Sequence, residues 1–283
     1  MSKRWGALLA GLVNAATAPQ KPWRRAHSRL RVLTALIQTH AVSTRHGPLL
    51  FVSTHADALG APRYHAVREP ETLAWIDGFE TPCLYWDIGA NVGEFALYAA
   101  LRPGVQVVAF EPSAANYAAF CRNIDANRSS DRVQAFCLAL SDRTRLGSFN
   151  LSNSEVHGYF NAFESEEDCF GRPLNVAFRQ SMLGFSVDEF RAMFALPPPN
   201  YLKLDVDGNE EAILDGAAKT LADPALRSVL VEVEEAETPR NRRIVERLAR
   251  CGFALTVRGA GQGGVSNAIF TRRIASPLAS AAQ

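Results

Sequence analysis

Residues 85–100 read YWDIGANVGEFALYAA. Tyr85, Trp86 and Ile88 around Asp87 have the aromatic and β-branched make-up of a buried strand. The Ala- and Leu-rich run after Gly93 has that of a helix. Between them Gly89, Asn91 and Gly93 stand at alternate positions. Glycine lets a backbone approach a neighbour or ligand closely, and asparagine tolerates a left-handed backbone. A strand, a small-residue turn and a helix in sixteen positions make the opening unit of a parallel α/β sheet. Ligands of such sheets lie beyond the carboxyl ends of the strands, where helix N-termini also point.

The pattern continues outward. Strands are expected at 83–88, 105–110, 132–140, 201–206 and 228–233, each followed by helical or irregular sequence. Ser113 is placed to cap a helix whose apolar stripe is Tyr117, Phe120, Cys121 and Ile124. Ser186 and Glu189 have capping-box spacing. "FALTV" and "NAIFTR" read as a terminal antiparallel pair. Upstream, a helix is expected over 23–41, a strand over 48–54 and a short helix over 69–79. Residues 141–185, punctuated by glycines, read as an insertion above the sheet. The expected organisation is a basic helical extension (1–45), a substrate-side cap segment (46–80), the α/β domain (81–273) and a disordered Ala/Ser-rich tail (274–283).

The 283 residues carry a net charge of +1, which gives no global case for nucleic acid. The charge is unevenly spread: residues 1–56 hold eight Lys or Arg and no Asp or Glu. Lys3 and Arg4 precede the apolar run WGALLAGLVNAATA, which is too short to span a bilayer and resembles a signal peptide only faintly. It reads as an amphipathic helix; association with a membrane surface and a targeting-like segment are the alternatives. Five scattered cysteines with no CxxC argue against a disulfide framework or a thiolate zinc site. The expectation is reduced, mostly buried thiols in a cytoplasmic protein, peripheral to a membrane if the basic arm binds one.

Two ligand classes suit the Gly89 turn. A dinucleotide fold asks for G-x-G-x-x-G, and Asn91 and Glu94 stand at its second and third glycines. S-adenosylmethionine instead needs a polar turn for its amino-acid end, and Asp87 suits its ammonium. Glu111, ending the second strand with Pro112, is a two-oxygen acceptor matched to a ribose diol. Ser141 and Asp142, ending the third, are placed for the adenine edge.

Taken in order, DIGANVGEFALYAA, AFEPSAANYAAFCRNI, LALSD, FSVDEF and YLKLDVDGNEEAILDGA resemble the FkbM family of S-adenosylmethionine-dependent methyltransferases, over roughly 46–272. The resemblance implies the class I methyltransferase sandwich: a mostly parallel seven-stranded sheet with an antiparallel last strand. It implies O-methylation of a hydroxyl, on a sugar, glycan or related metabolite. One departure is the fourth-strand motif, often Asp-Val-Glu-Gly-His-Glu in the family and here Asp205-Val206-Asp207-Gly208-Asn209-Glu210.

Asp205 is expected to position the acceptor and the sulfonium side of the donor, with Asp207 beside it; the bland reading of both is helix capping. His157 and His65 are candidate bases, as are Glu232 and Glu234. The two acidic strand ends also form an oxygen-ligand set for a divalent metal, which the resemblance does not require, and no metal site is assigned. Two other classes remain in view. One is a metal-dependent glycosyltransferase using Asp205-Val206-Asp207. The other is a non-catalytic methyltransferase-like module.

Overall fold

The structure is a computed structural model, and residues 2–54, 60–153, 161–167, 170–261 and 263–273 are described. The chain opens with helices α1 (Ser2–Thr17) and α2 (Pro22–Ala35), a hairpin of β1 (Gln38–Thr44) and β2 (Gly47–Ser53), then α3 (Gly60–Arg68) and α4 (Pro70–Asp77). The core follows as β3 (Cys83–Ile88), α5 (Glu94–Ala100), β4 (Val105–Phe110), α6 (Ala114–Ala126) and β5 (Val133–Phe136). Next come β6 (Ala139–Ser141), β7 (Arg145–Leu151), β8 (Ala162–Phe163), β9 (Phe178–Ser186) and α7 (Val187–Met193). The chain then runs through β10 (Tyr201–Leu204), α8 (Glu210–Asp215), α9 (Ala218–Ala222), β11 (Ser228–Glu234), α10 (Pro239–Arg250), β12 (Phe253–Arg258) and β13 (Val265–Arg272).

The main sheet has the order β12-β13-β11-β10-β3-β4-β5. β11, β10, β3, β4 and β5 are mutually parallel, and β13 runs antiparallel to both β11 and β12. This is the class I methyltransferase sandwich. The order reverses at β3 and β10, so the carboxyl ends of those two strands border the crevice. Period-2 alternation divides the core between the faces. Trp86 and Ile88 pack with Phe110, Phe190 and Leu204 on one side. Cys83 and Tyr85 pack with Val107, Phe120 and Tyr201 on the other.

Several boundaries differ from the sequence expectations. The helix expected over 23–41 stops at Ala35, and Gln38–Thr44 instead pairs with Gly47–Ser53, because Thr39, Val42 and Thr44 favour a strand and Gly47 takes a positive φ of 121° in the turn. The expected third strand is two strands in different sheets. β5 ends the main sheet's edge, the chain breaks at Cys137 and Leu138, and β6 joins the sheet β6-β9-β7-β8 built from the insertion. On α6 the Ser113 cap forms, its hydroxyl accepting from the Asn116 N–H. The buried face there includes Asn116 and Asn123, while Cys121 is exposed. Asn123 is buried because its amide serves two backbones, accepting from the Val52 N–H (2.8 Å) and donating to the Val92 carbonyl (2.9 Å). The thiols are less buried than expected: Cys83 is inside, Cys121 and Cys137 are exposed, and Cys169 lies outside the described residues, as does the tail 274–283.

Candidate active site

A cavity opens at the carboxyl edge of β3, β4, β10 and β11, lined by Gly89, Asn91, Glu111, Pro112, Asp205, Asp207 and Glu232 among others. The turn after β3 borders it, though its glycines answer first to the protein. A Cβ at Gly89 (φ +85°) would sit 1.7 Å from the Asp205 carbonyl oxygen, so β10 can lie beside the turn only if residue 89 has no side chain. A Cβ at Gly93 (φ +86°) would strike the Phe120 ring at 2.1 Å. Asn91 takes the expected left-handed backbone (φ 52°). The Gly89 and Ala90 N–H groups both donate to the Phe110 carbonyl at 3.0 Å. The turn's donors therefore serve mainly to tie β3 to β4.

Glu111 closes this arrangement. Its Oε2 accepts from the Asn91 N–H (2.7 Å), and its Oε1 accepts from the Ser113 N–H (2.8 Å) and the Asn116 side-chain amide (3.4 Å). Burial pushes its pKa up to about 7 against those donors. Pro112 presents its carbonyl to the Gln180 amide (2.8 Å), which ties the insertion sheet to the end of β4.

The opposite wall is a charge cluster. Lys203, only 1% exposed on β10, places Nζ 2.6 Å from Asp205 Oδ2 and 4.0 Å from Asp87 Oδ1. It also stands over the Phe95 ring at 5.2 Å. Burial opposes its charge, but Asp205, Asp87 and Glu69 hold it protonated. Asp87 is 1% exposed and lies behind this lysine without lining the cavity, its pKa raised to about 6 by burial. Glu69, the N-cap residue of α4, does line it. Thr72 Oγ1 (3.0 Å) and Asn267 Nδ2 (2.9 Å) donate to Glu69 Oε2. Burial pushes Glu69 up to about 7, and burial with Asp205 and Asp207 nearby pushes Glu232 up to about 9.

The turn after β10 wraps around a second buried acid. Glu210, 1% exposed, accepts from the Val206 and Gly208 N–H groups, both at 3.3 Å, and is paired with Arg240 of α10. Asp207, in a left-handed conformation (φ 54°), lines both this cavity and a neighbouring one that includes Glu234. Asn161 N–H reaches Asp207 Oδ2 at 3.4 Å.

Other sequence-assigned residues lie elsewhere. Gly93 does not line the cavity. Nor do Ser141 and Asp142: Ser141 is buried and bonded to Asp142 Oδ1 (3.0 Å), which pairs with Arg145 (2.6 Å). Leu138, Ala139 and Leu140, just upstream, form the wall in their place. His157 lies outside the described residues, as does the side chain of His65. The sequence reading missed Glu69 and Lys203. Lys203 had a signal, since a lysine inside the apolar strand YLKL needs a buried counter-charge. Glu69 had none, because its partner Asn267 is 198 residues away.

Residues 87–255 match the family described as the methyltransferase FkbM domain. The chain belongs to the FkbM methyltransferase family. A curated member, 31-O-demethyl-FK506 methyltransferase FkbM of Streptomyces tacrolimicus, is 27% identical over 169 residues, which cover 56% of this chain and 63% of that protein. Two solved structures are similar to this FkbM chain. The methyltransferase FkbM of Methylobacillus flagellatus KT gives a TM-score of 0.49 at 12% identity, covering 76% of this chain and 53% of that one. The precorrin-6y C5,15-methyltransferase of Geobacter metallireducens GS-15 gives 0.43 at 14% identity, covering 73% and 87%.

Proposed function

We propose that this FkbM-family protein is an S-adenosylmethionine-dependent O-methyltransferase acting on a hydroxyl of a sugar, glycan or related secondary metabolite. One observation carries the reading. A single cavity joins a carboxylate suited to a ribose diol, at the end of β4, to a cluster of acids suited to a cation and a proton. The residues present fit the cofactor. Glu111 accepts three donors and, with about four lone-pair sites, has one left, on Oε2, for a ribose hydroxyl. Phe110, Leu138, Leu140 and Ile213 offer an apolar wall for a flat heterocycle. Asp205, Glu69 and Glu232 face the space beside Lys203, and their carboxyl oxygens offer acceptors to a ligand's ammonium. The name of the curated relative, an O-demethyl substrate's methyltransferase, supports a hydroxyl acceptor.

S-adenosylmethionine, when bound, supplies a methyl group already activated on a sulfonium. What the chain must add is alignment, worth on the order of 7 to 11 kcal/mol, and a home for the hydroxyl proton. Asp205, fixed by Lys203, orients the acceptor. Glu232, with its pKa near 9, stays protonated at neutral pH and acts as a hydrogen-bond donor. Glu69, near 7, is matched to accept a proton at physiological pH. The glycosyltransferase reading needs Asp205 as a metal ligand, and that carboxylate is already engaged by the Lys203 ammonium.

Calorimetric titration with S-adenosylmethionine, S-adenosylhomocysteine and NAD tests the reading. Micromolar binding of the first two and none of NAD is expected. Glu111→Ala should weaken binding at least ~30-fold, as loss of charged hydrogen bonds implies, with the far-UV circular dichroism unchanged. A folded wild-type protein that binds neither sulfur ligand overturns the reading.

A further inference from the structure

The apolar side chains of the N-terminal hairpin are turned outward. On α1, Trp5, Leu8, Leu9 and Leu12 are 55–60% exposed. Their i, i+3, i+4, i+7 spacing puts them on one helical face. On α2, Trp23, Leu30 and Leu33 repeat the arrangement and are similarly exposed, and no residue of α2 is buried. The hairpin is nonetheless built as a unit. Arg25 Nη2 donates to the Ala18 (2.5 Å) and Gln20 (3.1 Å) carbonyls, and Arg29 Nε donates to Thr17 Oγ1 (2.9 Å). Arg24 and Arg31, seven apart, flank the apolar stripe of α2, and the Arg24 guanidinium stands 5.3 Å over the Trp23 ring. Two of the chain's four tryptophans lie on this exposed surface.

Three occupants of such a face differ in charge and length. Crossing a bilayer is excluded for α1: sixteen residues make a helix about 24 Å long against a hydrocarbon core of about 30 Å. Among the described residues no helix is long and apolar enough to cross a membrane. A second copy would bring a like-charged face, because residues 1–56 hold eight cations and no acid to pair with them. An anionic lipid surface complements both features. It takes leucine and tryptophan to the acyl boundary and meets the flanking guanidiniums with phosphate.

We propose that the α1–α2 hairpin is a monotopic docking element that lays Trp5, Leu8, Leu9, Leu12 and Trp23 into the interface of an anionic membrane. The inference stands apart from the identity of the methyl acceptor.

Co-sedimentation of the full chain with phosphatidylcholine vesicles, with and without phosphatidylglycerol, is the test. The protein should pellet with the mixed vesicles, release as salt is raised, and stay in solution with phosphatidylcholine alone. Tryptophan emission should shift to the blue on binding. Trp5→Glu/Leu9→Glu should abolish pelleting, and because both positions are exposed the circular dichroism should not change. Arg24→Glu/Arg31→Glu should lower the affinity about tenfold or more. Wild-type protein that remains in the supernatant with the anionic vesicles overturns the proposal. So does equal pelleting of the Trp5→Glu/Leu9→Glu variant, or a stable dimer that this variant splits while vesicle binding is absent.

Discussion

The two walls of the cavity are held together by different physics. The wall formed by the β3–α5 turn and Glu111 is stabilised by sterics and dipoles: bare glycines against the Asp205 carbonyl and Phe120, and a carboxylate satisfied by N–H donors. The wall formed by Lys203, Asp205, Glu69 and Glu232 is stabilised by opposed charges in a buried place. The first wall should therefore be intolerant of added atoms and respond to pH only through Glu111. The second should tolerate changes of shape but respond strongly to protonation.

Gly89→Ala strikes the first wall hardest. The new methyl group would meet a backbone carbonyl at 1.7 Å in a left-handed conformation, and neither backbone can yield without breaking the β3–β10 pairing. A loss on the order of 5 kcal/mol is expected from strain and overpacking together. Thermal unfolding reads it directly, and Gly93→Ala, which meets the movable Phe120 ring, should cost clearly less. Equal costs would mean that the Asp205 carbonyl is not the rigid neighbour.

Lys203→Met tests the second wall. Removing the ammonium leaves Asp87 and Asp205 uncompensated, a change that costs about 3 to 4 kcal/mol when the charges stay buried. The pH dependence carries the diagnosis. Asp87 has its folded pKa raised from 3.8 to about 6 even beside the lysine, and without that cation it rises further. A raised carboxylate contributes stability that is fully present below its unfolded pKa and is lost as pH rises through the folded value. The variant's deficit should thus be full above the variant's own Asp87 pKa and shrink as pH is lowered from there to about 6, since protonated Asp87 no longer needs the lysine. In the wild type, Glu69 and Glu111 (each raised to about 7) and Glu232 make the same contribution, so stability should fall between pH 5 and pH 8. A deficit equal at pH 5 and pH 8 would show that Lys203 acts by packing alone.

The same contrast explains what the sequence revealed. The succession of strands and helices, the Gly89 turn, the Ser113 cap and the place of Glu111 at the end of β4 depend on residues close in sequence, and all could be read from it. Glu69 could not, because it becomes part of the site only when α4 packs against β13, where Asn267 donates to it. A place at a strand end points Asp87 toward the ligand, but the buried Lys203 of the neighbouring strand lies 4.0 Å from it and lines the cavity where Asp87 does not. Ser141 and Asp142 were displaced from the wall because the chain bends at Cys137 and Leu138, and nothing in RVQAFCLAL announces a change of sheet. The helix over 23–41 failed for a related reason: its apolar stripe has helical spacing, but β-branched residues near its end pair with β2 instead.

Asn267→Ala separates assembly of the second wall from its charge. Asn267 Nδ2 lies within hydrogen-bonding distance of Glu69 Oε2 (2.9 Å), Glu71 Oε1 (3.1 Å) and Thr72 Oγ1 (3.2 Å), and so fixes the first turn of α4. Truncation removes no charge and leaves Thr72 still donating to Glu69. The expected loss of stability is about 1 to 2 kcal/mol, the smallest of the three, and somewhat larger at pH 8 than at pH 6, because Asn267 donates to Glu69 and holds its pKa down. Cofactor affinity by calorimetry should fall far less than turnover, since the Glu111 wall is untouched and Glu69 is kept, while methyl transfer to an acceptor should slow because Glu69 is no longer held in place. If cofactor affinity fell as much as turnover, the two walls would be one mechanical unit, and the division between a steric wall and a charged one would have to be abandoned.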